Sequence, residues 1–320
     1  MTLLQSFALM GIGIVLLLAG AEALVRGSAA LALRFGITPL VVGLTVVAFG
    51  TSSPELVVSV KAALQGDGGF AIGNVVGSNI ANLALIIGVS AALRPMVIQK
   101  KLVQWDLPVM LGASLVLVLL LLDGYLGRIE GGLLVVGIIA YLIISIRSSR
   151  QEVRAQKELE LPAEVEEVLA EPNKRIGRYL LLTVGGLALL VVGADQLLEG
   201  AISAAERLGV SEAVIGLTLV ALGTSLPELA TTIVAAMRDH AEIALGNAIG
   251  SNVFNTLGVL GPAALVAPMD RAGVGDDALI IMLAVSVFTF GILWRGFQTH
   301  RWEGALLLSI YALYLWWIIQ

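Results

Sequence analysis

Two glutamates stand where carboxylates are expensive. Glu55 closes the run Gly50-Thr51-Ser52-Ser53-Pro54-Glu55, and Glu228 closes Gly223-Thr224-Ser225-Leu226-Pro227-Glu228. Both runs interrupt long apolar stretches. An ionised carboxylate at the centre of a bilayer costs on the order of 3 kcal/mol or more, and two that face each other also repel. Such a pair is stable when a cation neutralises it. Thr51, Ser52 and Glu55 fall on one helix face, as do Thr224, Ser225 and Glu228. Further along, Ser78 and Asn82 are four residues apart, and so are Ser251 and Asn255. Pro54 and Pro227 lack the N–H groups that would pair with the carbonyls of Gly50 and Gly223, so backbone oxygens can turn inward as well. Packed together, these groups predict an all-oxygen cage suited to a hard cation. Zero cysteines and two histidines disfavour a soft-metal site.

The elements that must hold this cage are membrane helices. The chain has 320 residues, 58% hydrophobic and 13% charged. Soluble domains carry roughly a quarter charged residues. Hydropathy predicts an all-α integral membrane protein with ten spans. The first apolar run lacks a basic leader and a small-residue cleavage site, so it reads as the first span and not as a signal peptide. Of the 19 Lys and Arg residues, all but Lys61, Arg128, Arg207 and Arg271 fall on one side of this arrangement. The positive-inside rule then places both termini on the extracellular or periplasmic side. Trp105, Trp294, Trp302, Trp316 and Trp317 lie near span ends, as interfacial anchors do.

The chain also contains itself twice. The motif at 36–88 aligns without a gap to 209–261, with 23 of 53 positions identical. The offset is constant at 228 − 55 = 173 residues. The predicted organisation is a five-helix repeat over 1–147, a cytoplasmic linker over 148–175 and a second five-helix repeat over 176–320. Five is odd, so the second repeat enters the membrane from the opposite side, the inverted plan of many secondary transporters. The linker is polar and mixed in charge, too short for a domain and without EF-hand spacing.

The duplicated Gly-Thr-Ser-x-Pro-Glu runs, with Gly73-Asn74-Val75-Val76-Gly77-Ser78-Asn79 and Gly246-Asn247-Ala248-Ile249-Gly250-Ser251-Asn252, resemble the two alpha-repeats of the calcium/cation antiporter superfamily. They are most similar to its sodium/calcium exchanger branch, in the compact prokaryotic form, and the likeness covers essentially the whole chain. The resemblance implies ion ligands at Thr51, Ser52, Glu55, Ser78, Asn82, Thr224, Ser225, Glu228 and Ser251, with backbone carbonyls at Ala48 and Ala221. It implies Ca²⁺ between the two glutamates, Na⁺ in overlapping and flanking sites, and a first and sixth helix that slide to alternate access. One position departs: Asn255 stands where similar exchangers often have Asp, which argues against a K⁺-cotransporting subtype. The proton/calcium branch places a glutamate soon after its Gly-Asn pair, where this chain has Gly77 and Gly250, so Na⁺ is the favoured counter-ion.

Other residues carry two readings each. Asn74 and Asn247 fit structural hydrogen bonding somewhat better than ligation. Glu22 and Asp195, equivalent by the repeat, either line an ion path or sit at a membrane end beside groups such as Arg26. His240 reads as a solvated loop residue. The expected function is antiport of Ca²⁺ for Na⁺ across a prokaryotic plasma membrane. The alternative is H⁺/Ca²⁺ or other divalent-cation antiport, with a cation channel less favoured because one cage between inverted halves fits a carrier. No nucleophile–base pair points to an enzyme, no cofactor is implied, and the expected partners are Ca²⁺, Na⁺ or H⁺ and the lipid bilayer, with neither nucleic acid nor an obligate protein.

Overall fold

The computed structural model describes residues 1–157, 176–208 and 221–319. They are almost wholly helical. Helix α1 (Leu3–Phe35) is capped by Thr2, whose hydroxyl accepts from the Gln5 N–H at 3.2 Å, and Gly36 ends it with a left-handed φ of 61°. Then come α2 (Pro39–Thr51) and α3 (Ser53–Leu64), bent by 46° at Ser52. α4 (Gly68–Leu93), α5 (Leu102–Leu120) and α6 (Arg128–Lys157) complete the first half. α7 (Ile176–Arg207), the short α8 (Ala221–Gly223), α9 (Leu226–Met237), α10 (Ala241–Val266), α11 (Asp276–Trp294) and α12 (Arg301–Ile319) form the second.

Among the described residues seven helices are long and apolar enough to cross a membrane, or eight with the bent α2–α3 pair taken as one span. α9 is apolar but shorter. The motif residues 209–220 and most of the expected linker lie outside the described residues. α6 continues to Lys157, through the first ten residues of that linker.

Helix boundaries recur at the sequence offset. Adding 173 to α3 gives α9, and adding it to α4 gives α10. Even an irregularity recurs: a widened π-type turn at Ala81–Ile86 in α4 has its equivalent at Phe254–Val259 in α10. Such turns free local backbone and re-aim side chains. They put Asn82 and Asn255 inside the bundle, where they are 1% and 0% exposed.

α4 and α10 are the central helices, each 78% buried over its most apolar window, against 33% for α1 and 28% for α7. They are joined by polar contacts. Asn79 Nδ2 donates to Thr256 Oγ1 at 3.0 Å, and Asn82 Nδ2 donates to Asn252 Oδ1 at 3.1 Å. In an apolar surround such interhelical bonds fix register. The peripheral α1 and α7 pack on each other antiparallel along glycines. A Cβ at Gly13 would lie 2.5 Å from the Leu197 nitrogen, one at Gly20 2.8 Å from the Leu190 nitrogen, and one at Gly27 2.8 Å from the Thr183 nitrogen. Backbones this close leave no room for a side chain, so the two helices form one tightly fitted pair. A short antiparallel ribbon, β1 (Tyr125–Leu126) on β2 (Met269–Asp270), ties a loop of one half to a loop of the other.

Candidate cation site

The bend at Ser52 is the local feature that builds the site. Pro54 supplies no N–H, and Ser52 leaves helical geometry with ψ at 5°. The break starts a new helix whose first turn carries Glu55. Ser225, with ψ at 4°, and Pro227 do the same for Glu228. Each carboxylate therefore sits at a helix N-terminus, where backbone N–H groups favour negative charge.

Both glutamates are 0% exposed. Ser52 Oγ donates to Glu228 Oε1 at 3.0 Å, and Ser225 Oγ reaches Glu55 Oε1 at 3.5 Å, a longer contact. The serine three residues before each carboxylate thus serves the carboxylate of the other half. Ser225 Oγ also lies 3.4 Å from Ser78 Oγ. The second oxygens, Glu55 Oε2 and Glu228 Oε2, are buried without a hydrogen-bond partner, as are Thr224 Oγ1, Ser251 Oγ, Asn82 Oδ1 and both amide atoms of Asn255. Buried polar atoms are rarely left unpaired, so this group of open oxygens marks a place for a ligand. Among the described residues no group of three or more His, Cys, Asp or Glu forms a metal cluster. The donors are two carboxylates with neutral oxygens, a set suited to a hard cation.

The remaining expected ligands divide. Thr51 Oγ1 donates to Asn247 Oδ1 at 3.1 Å. The Ala48 carbonyl already accepts the Ser52 N–H at 2.9 Å and has Thr51 Oγ1 at 3.4 Å. Ala221 opens α8. Asn247 acts as a brace: its Nδ2 donates to Thr232 Oγ1 at 3.0 Å and approaches the Glu228 carbonyl at 3.4 Å. Asn74 makes the equivalent contact with Ser59 Oγ at 3.1 Å. Asn79 and Asn252 lie inside the repeated motif, and their recurrence at the offset is the sequence signal for their bracing role. Asp106, buried on α5 and hydrogen-bonded by Tyr141 OH at 3.2 Å, had no such signal.

A cavity of about 820 Å³ reaches this constellation from one end of the bundle. Its described lining includes Pro54, Gly77, Thr224 and Pro227, the chain neighbours of Glu55, Ser78, Ser225 and Glu228. It continues past Asp195 and Phe70 to the loop at Ala272 and Gly273.

The family model described as sodium/calcium exchanger protein matches residues 5–147 and 178–320. The chain belongs to the sodium/calcium exchanger family. Among its relatives, the sodium/calcium exchanger MaX1 of Methanosarcina acetivorans is 33% identical over 343 residues, covering 97% of each chain. The inner membrane protein YrbG of Escherichia coli is 35% identical over 317 residues, covering 98% of this chain and 96% of that one. A solved structure of the sodium-calcium exchanger NCX_Mj, soaked with zero Na⁺ and Ca²⁺, superposes with a TM-score of 0.84 at 30% identity over 98% of both chains. Another, soaked with 2.5 mM Na⁺ and 0.1 mM Ca²⁺, gives 0.83 at 31% identity. This exchanger family is one of membrane cation antiporters, and the chain is a multi-pass protein of the prokaryotic plasma membrane.

Proposed function

We propose that the chain exchanges Ca²⁺ for Na⁺ by alternating access at a single cage shared by Glu55 and Glu228. The crossed Ser52–Glu228 and Ser225–Glu55 contacts carry this reading. They bring both carboxylates to one point at zero exposure, each with an oxygen left open. No arginine or lysine is paired with either among the described residues. Two uncompensated buried charges are strongly unfavourable, and a mobile cation removes that cost. One Ca²⁺, or two Na⁺, balances them. Because both ions need the same oxygens, one must leave before the other binds, and that competition couples the two fluxes.

The ligand set is Thr51, Ser52, Glu55, Ser78, Asn82, Thr224, Ser225, Glu228, Ser251 and Asn255, with carbonyls at Ala48 and Ala221. Ten spans result when α2 with α3 count as one, the apolar sequence from Ala213 to Ala236 is read as another and α12 is added. Both termini then face outside, and the halves over 1–147 and 176–320 are inverted repeats joined by a cytoplasmic linker. The antiparallel pairing of the equivalent α1 and α7 supports that inversion, and the recurrent helix boundaries support the two halves. The relatives named as sodium/calcium exchangers support Na⁺ as the counter-ion.

The test is uptake of radiolabelled Ca²⁺ into proteoliposomes. An outward Na⁺ gradient should drive uptake that a proton ionophore does not abolish. Uptake that follows only a pH gradient would assign the counter-ion to H⁺. Rapid downhill Ca²⁺ flux without any counter-ion would replace antiport by a channel.

A further inference from the structure

Glu22 and Asp195 are equivalents at the offset of 195 − 22 = 173, and the structure treats them in opposite ways. Glu22 lies between two guanidinium groups. Arg26 pairs with it from one turn along α1, and Arg238 Nε donates to its Oε2 at 2.9 Å from the turn between α9 and α10. Asp195 lines the open cavity and has no hydrogen bond or ion pair among the described residues.

The sequence around the two positions explains the contrast. Arg26 has Glu199 as its equivalent, Arg238 has Gln65, and Arg94 has Ala267. Arg94 pairs with Asp239 and donates to the Met237 carbonyl at 3.0 Å, holding the same turn from α4. Asp239 takes a left-handed φ of 62°, where its equivalent Gly66 has 80°. A side chain in that region is disfavoured, although Asp tolerates it better than most. The cations gathered at one end of the bundle thus occupy positions that carry acid, amide or methyl groups at the other.

The passage at the clamped end is shut. Leu198, Phe70, Asn74 and Gly77 line the open cavity. Their equivalents Val25, Ile243, Asn247 and Gly250 are all buried. At Gly250 an added Cβ would lie 2.7 Å from the Leu44 Cα, so the backbones there touch. α1 is one half of a tightly fitted pair with α7, so a tie on α1 restrains both helices.

We infer that Glu22, held by Arg238, is the latch of the closed passage, and that α1 must release Arg238 before a path past Val25 and Ile243 opens to the cage. The latch refines the alternating-access reading and rests on it. Its strength is small, because partly exposed ion pairs contribute little. It biases the balance between two conformations and does not lock one of them.

The chain has no cysteine, so one introduced cysteine gives a clean signal. Val25→Cys and its equivalent Leu198→Cys are made in the full chain, purified in detergent without Na⁺ or Ca²⁺, and labelled with a polar maleimide. Arg238→Gln should speed labelling of Val25→Cys by about threefold and slow that of Leu198→Cys. Glu22→Gln should act in the same direction, and Arg238→Lys, which keeps the charge, should restore the slow rate at Val25→Cys. A merely loosened fold would speed both cysteines and overturn the latch. Unchanged labelling of Val25→Cys in both Arg238→Gln and Glu22→Gln would overturn it too. Labelling needs no ion gradient, so this result is read separately from Ca²⁺ uptake, whose failure would instead remove the exchange reading.

Discussion

Ser52 and Glu228 come from opposite halves of the chain and meet through a 3.0 Å hydrogen bond at zero exposure of the carboxylate. The serine at the helix break of one repeat thus bonds the carboxylate of the other. Neither half can build the cage alone.

Neutralising either carboxylate should abolish binding while preserving shape. Glu55→Gln and Glu228→Gln should each lower Ca²⁺ exchange by ~100-fold or more, since a charged ligand is replaced by a neutral one. Ca²⁺ should raise the thermal midpoint of the native protein through linkage and leave that of either variant unchanged. Native-like exchange in both variants would remove these residues from the site.

The crossed serines should matter less than the acids and should act together. Ser52→Ala or Ser225→Ala removes one donor to a buried carboxylate, a loss of about 1–3 kcal/mol. The half-saturating Ca²⁺ concentration should rise about tenfold for Ser52→Ala, and less for Ser225→Ala because its contact is longer. Equal affinity for Ca²⁺ in Ser52→Ala and the native protein would contradict the assignment.

A glycine at the packed end should not tolerate a methyl group. At Gly250 a Cβ would press on the Leu44 backbone at 2.7 Å. Gly250→Ala should lower the thermal midpoint in detergent by roughly 5 °C, as overpacking does. An unchanged midpoint would show that the Leu44 backbone gives way.

The Asn82–Asn252 bond should show as a coupling between α4 and α10. A double-mutant cycle with Asn82→Ala and Asn252→Ala should give about 0.6–1.7 kcal/mol, the range for polar pairs between membrane helices. Additive effects on unfolding would mean that the bond carries no net stability.

Asp106 tests a buried acid outside the cage. Its Oδ1 accepts from Tyr141 OH at 3.2 Å, its Oδ2 has no hydrogen-bond partner, and nearby Lys101 is paired with Glu152. Asp106→Asn keeps the acceptor and removes an unpaired charge, so the thermal midpoint should stay level or rise. Asp106→Ala leaves the tyrosine hydroxyl unpaired and should cost about 1–3 kcal/mol. A large loss of stability in Asp106→Asn would mean that the carboxylate has a cationic partner of its own.

The sequence by itself determined the membrane character, the duplication and the two acidic motifs, because apolar length, repeat offset and the Pro-Glu break are written in the order of residues along the chain and need no contact between helices. Helical spacing alone put Thr51, Ser52 and Glu55 on one face, and the structure breaks the helix at Ser52 between Thr51 and Glu55. Only the tertiary structure decided that Ser52 serves Glu228, that Asn247 braces Thr51, and that Glu22 is held by Arg238 while Asp195 is left open to a cavity. Those outcomes depend on which helices touch and how closely. The widened turns at Ala81–Ile86 and Phe254–Val259, which have no signature in hydropathy, shift the facing of every residue beyond them. Contacts between helices from different halves follow from packing and backbone approach, and a pattern along one helix does not contain them.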